Sequence, residues 1–93
     1  SYLQQKSVIF HHVYKEFMDL YKETDHLINI LKQKGHTEIA TQLSDSIRYS
    51  AIGTEILMKI KHHLNEILKT PQNYDETIVS LAKSIENRIT NAL

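Results

Sequence analysis

The sequence predicts an all-α protein: a long antiparallel helical hairpin plus a shorter third helix, in a single domain over residues 1–93. Three observations predict it. Leu3, Phe10, Phe17, Thr24 and Leu31 recur every seventh residue, with Val13, Leu20 and Leu27 at the intermediate positions, a helical and not a strand period. Helix breakers are scarce, with 2 Gly and 1 Pro in 93 residues. Those breakers also stand where long helices need to end.

The first helix is expected from about Tyr2 to Lys34, a rod of about 45–50 Å at 1.5 Å per residue. Tyr14, Tyr21 and Ile28 widen its apolar face. Lys32 and Lys34 complement the negative helix end, and Gly35 follows as a residue able to turn left-handed. Thr37 suits the N-cap of a second helix, with Glu38 in its first turn. Ala40, Leu43, Ile47, Ser50, Thr54, Leu57, Leu64 and Leu68 hold one register, so the second helix is read as unbroken from Thr37 to Lys69. On this reading Gly53 lies inside it, at a cost of about 1 kcal/mol relative to Ala. The alternative breaks the helix at Gly53, caps the next one with Thr54 and gives a four-helix bundle. Thr70-Pro71 ends the segment, and a last helix carries Ile78, Ala82, Ile85 and Ile89 on one face to about Asn91.

In the hairpin, Leu31 is expected near Ala40, Leu27 near Leu43 and Phe17 near Thr54. A third helix turning back at Pro71 then covers the open end and stops short of the Gly35 tip. Tyr21, Leu27, Ile28, Ile30, Leu31, Ile39, Leu43 and Ile47 outnumber what one two-helix seam buries, so this half is expected to dock against a second copy or another protein.

Composition narrows the function. Eleven basic and eleven acidic residues cancel, which gives no electrostatic basis for a nucleic-acid or membrane-surface partner. No apolar run approaches the ~20 residues of a membrane span, and no secretion signal is visible. Without cysteine there is no disulfide or thiolate zinc site, in keeping with the cytoplasm. No nucleophile motif or phosphate-cradling loop is present, so no enzyme and no cofactor are expected.

Six histidines raise the question of metal: His11, His12, His26, His36, His62 and His63. One helical turn separates His12 from Glu16 and His62 from Glu66, which makes these four the metal-ligand candidates. Adjacent histidines diverge by ~100° on a helix, so His11-His12 and His62-His63 are not expected to share an ion. Both pairs fall on polar faces, and the bland reading is a solvated surface.

Glu16, Asp19, Glu23 and Asp25 gather on the middle of the first helix, with Asp45 across the hairpin. Lys15 and Lys22 interleave, as on any solvated helix face; the functional reading is an acidic edge steering a basic partner. With Ile28, Ile30 and Ile39 as apolar anchors, these residues form the expected partner-binding surface.

The runs Gly35-His36-Thr37-Glu38-Ile39-Ala40 and Tyr49-Ser50-Ala51-Ile52-Gly53-Thr54-Glu55-Ile56-Leu57 resemble small all-helical bacterial proteins. Size and helical plan are similar to immunity proteins of contact-dependent inhibition and related toxin systems. The resemblance covers about a quarter of the chain and carries no catalytic residue. It implies a cytoplasmic protein that binds and neutralises a cognate toxin. The alternatives are a homodimeric helical adaptor or structural protein of a bacterium or mobile element, and a His/Glu metal-binding bundle.

Overall fold

The computed structural model describes residues 2–50 and 53–93, with side chains from Lys15 onward. The described residues form helices α1 (Tyr2–Gln33), α2 (Thr37–Arg48), α3 (Gly53–Lys69) and α4 (Glu76–Ala92), with a short 3-10 turn at Pro71–Asn73. Each helix packs on its sequence neighbours and α4 closes the ring against α1. Two ion pairs fix the α1/α4 register as antiparallel, Lys34–Asp75 at 3.5 Å and Glu23–Arg88 at 2.6 Å.

The turn after α1 forms as its residues require. Gly35 has φ +86°. Its N–H reaches the Lys32 carbonyl at 3.1 Å, and the His36 N–H reaches that of Leu31 at 2.8 Å. This paired closure satisfies carbonyls that the helix end would otherwise leave open. At the same end the His36 and Tyr74 rings meet at 4.6 Å. Asp75 caps α4, its carboxylate accepting the Ile78 N–H at 3.0 Å.

Two expectations about the hairpin are corrected. The second helix is not continuous from Thr37 to Lys69: it stops at Arg48, Tyr49 and Ser50 lie outside any helix, and α3 starts at Gly53. The preserved apolar register has another origin, since α2 and α3 each turn a face toward the same core. The break comes before Gly53, not after it; the remaining two positions between the helices, 51 and 52, lie outside the described residues. Gly53 takes the closest approach: a Cβ there would lie 3.2 Å from the Phe17 ring.

The reversal also changes what the last helix covers. Because α3 returns toward Gly35, α4 starts beside Lys34 and runs down the tip half of α1, not the open end. The tip half is thereby enclosed. Ile28 and Ile39, expected on a docking face, are 2% and 8% exposed. Leu20, Leu27 and Leu31 of α1 meet Leu43 of α2, Ile60 and Leu64 of α3, and Ile78 and Ile85 of α4, all without solvent contact. Each such side chain contributes about 1.5–3 kcal/mol by leaving water. Thr24 is the buried polar member on α1, its hydroxyl donating to the Leu20 carbonyl at 2.7 Å.

Two substitutions separate backbone strain from crowding. Gly35→Ala meets open space but must hold a left-handed φ, so a loss of about 1–2 kcal/mol is expected in urea unfolding, with Gly35→Asn losing less. Gly53→Leu instead forces the Phe17 ring aside and should cost about 1–3 kcal/mol; an unchanged urea midpoint would show that the α1/α3 approach is loose.

Candidate functional site

The helices differ in length, and the difference defines one end of the molecule. Helix α1 has 32 residues, α2 has 12, and α3 and α4 have 17 each. At 1.5 Å per residue α1 is about 48 Å long and its companions are at most about 26 Å. Gly53, the first residue of α3, lies against Phe17. From Asp75 beside Lys34, α4 descends 17 residues and runs out at the same level. The bundle therefore has a foot near Phe17, and α1 continues past it as an arm; the molecule measures 52 × 24 × 19 Å. The sequence places Leu3, Phe10 and Val13, the first half of the heptad series, on that arm.

Exposed apolar residues gather at the same end. Met18 stands one residue from Phe17, Tyr49 follows the last residue of α2, and Leu93 follows the last residue of α4. Tyr49 is 74% exposed. Apolar surface beside an unaccompanied helix is the composition of an interaction site. Sequence reasoning missed this location because it placed the uncovered half at the tip; the signal that points to it is the helix-weakening Tyr49-Ser50 before Gly53.

The residues expected on an acidic edge do not act as one group. Glu16 and Asp19 are half-buried, and Glu23 is engaged by Arg88 of α4, whose guanidinium lies 2.6 Å away without an aligned N–H. Asp25 and Asp45 are exposed. Ile30 is half-buried along a shallow groove with His26 of α1 and Leu81 of α4. Of the expected apolar anchors, only Ile30 keeps any access to a partner.

Of the metal candidates, the side chain of His12 lies outside the described residues, so the His12–Glu16 pair does too. At the other pair the structure corrects the argument from helical angles. His62, His63 and Glu66 bring one ligand atom each within 4.8 Å of one another. His62 Nε2 lies 2.9 Å and His63 Nδ1 3.8 Å from Glu66 Oε1. The divergence of adjacent side chains is undone by the rings themselves, which swing into an edge-on pair 5.2 Å apart. Burial lowers the His63 pKa below 6.5, and a charged His62 lowers it further, against the pull of the Glu66 carboxylate.

At the opposite end Asp75 is held below its ordinary value of 3.8, first by the Ile78 N–H and then by Lys34. A depressed carboxyl pKa adds stability that is complete above 3.8 and lost as pH falls through the lower folded value. Asp75→Asn keeps a cap but cannot titrate, so its urea midpoint should approach that of the native chain as pH falls below 3.8; a constant gap would show that the charge adds nothing.

Among the described residues no helix is long and apolar enough to cross a membrane. Compared with protein-family models, with curated proteins and with solved structures, the chain matches none.

Proposed function

We propose that this chain is a non-catalytic helical binding protein whose docking element is the arm of α1 with the apolar residues at its root. The observation that carries the reading is the length mismatch. Among the described residues the core is built from Leu20 onward, and the sequence of the arm continues the heptad pattern that inside the bundle marks the buried face. An amphipathic helix unaccompanied by its own chain suits a groove or another helix on a partner. Asp25, exposed on α1 above the root, adds a charge that favours a basic surface.

Its most concrete form is a cytoplasmic immunity protein that covers the active site or substrate surface of a cognate bacterial toxin. That form rests on the resemblance of the Gly35–Ala40 and Tyr49–Leu57 runs. A second reading, pairing of two arms in a homodimer, is favoured by the seven-residue spacing, the repeat that packs helix against helix.

Co-expression with a toxin encoded beside this gene tests the first form. The native chain should restore growth, and Phe10→Glu should lose the protection while the bundle melts as before. No rescue by the native chain would refute the immunity assignment. Light scattering checks the second form: a dimer that Phe10→Glu converts to monomer supports it, and a native monomer removes it.

A further inference from the structure

We propose that His62, His63 and Glu66 of α3 form a binding site for a single zinc ion, independent of the docking arm. Three observations converge on it. The first is spacing. Ligands on a tetrahedral zinc at 2.0–2.2 Å stand about 3.3 Å from one another. The two separations measured to Glu66 Oε1, 2.9 Å from His62 Nε2 and 3.8 Å from His63 Nδ1, bracket that value. The third separation is within 4.8 Å, so modest side-chain rotation closes the triangle.

The second observation is an orphaned atom. His63 Nδ1 is buried and has no hydrogen-bond partner, and Glu66 at 3.8 Å is too far to serve. An unsatisfied buried nitrogen carries a cost that a metal ion bound to it removes. Binding through Nδ1 places the ring proton on Nε2.

The third observation is the arrangement of charge and solvent. The nearest lysine on the preceding turn, Lys59, is engaged with Glu55 at 3.2 Å. The His62 side chain is 70% exposed, which leaves room for water at the remaining coordination position. Two imidazoles and one carboxylate select zinc and its neighbours over magnesium and calcium, which take oxygen ligands.

The experiment is calorimetric titration of the intact, chelator-treated chain with zinc chloride at neutral pH. The native protein should bind one equivalent of zinc and give no comparable binding with magnesium. His63→Ala and Glu66→Gln should each weaken zinc binding at least about tenfold, His26→Ala should leave it unchanged, and Glu66→His should retain it. His62, His63 and Glu66 lie on α3 and His26 is an exposed control position on α1, and helical circular dichroism confirms that each variant is folded. No zinc uptake by the native chain overturns the proposal, as does equal uptake by the triple variant His62→Ala, His63→Ala, Glu66→Gln. Loss of binding in His26→Ala alone would place the ion elsewhere and overturn it equally.

Discussion

At the foot of the bundle the chain passes so close to α1 that a Cβ on Gly53 would meet the Phe17 ring at 3.2 Å and the Tyr21 hydroxyl at 3.7 Å. The rest of the architecture follows from this approach. Because α3 begins beside Phe17, its 17 residues carry it back toward Gly35. Because α3 ends there, Pro71 turns the chain beside the α1/α2 connection, and Asp75 meets Lys34. With α4 starting at that point, the apolar face of the tip half of α1 is covered and the other half is left as an arm. A larger residue at position 53 would press on all of these relations through one aromatic ring.

The all-helical class was legible from the heptad spacing and the scarcity of Gly and Pro. So were the Gly35 turn and the buried face of the last helix, Ile78, Ala82, Ile85 and Ile89. The connectivity was harder to read. A helix that continues through Ser50 and a helix that reverses there present the same apolar phase, because in both cases the stripe faces the one available core. Periodicity reports which face is buried and says nothing of direction. Ile28 and Ile39 were recognisable as apolar; whether a third and fourth helix covered them depended on the reversal. His63 was set aside beside His62 for a related reason: angles between Cβ positions set where a side chain departs, and the rotamer sets where its nitrogen arrives.

The two candidate sites make different demands on the fold. The zinc triad lies on one helix, so its register is fixed by backbone geometry and needs only that α3 be helical. The arm needs only that α1 continue as a helix past Phe17. On the proposed reading, recognition falls to one half of α1 and the described packing to the other, with Phe17 at the junction.

The helical connections have a kinetic consequence. The pairs α1 with α2 and α3 with α4 are each closed by a tight turn, at Gly35 and at Pro71–Asn73. Such local closures form early and without a large loss of chain entropy. The seam between α1 and α4 and the approach of Gly53 to Phe17 join distant parts of the chain. Non-local contacts of this kind are the slow part of assembling a fold, and the charged contacts Lys34–Asp75 and Glu23–Arg88 stand along the α1/α4 seam.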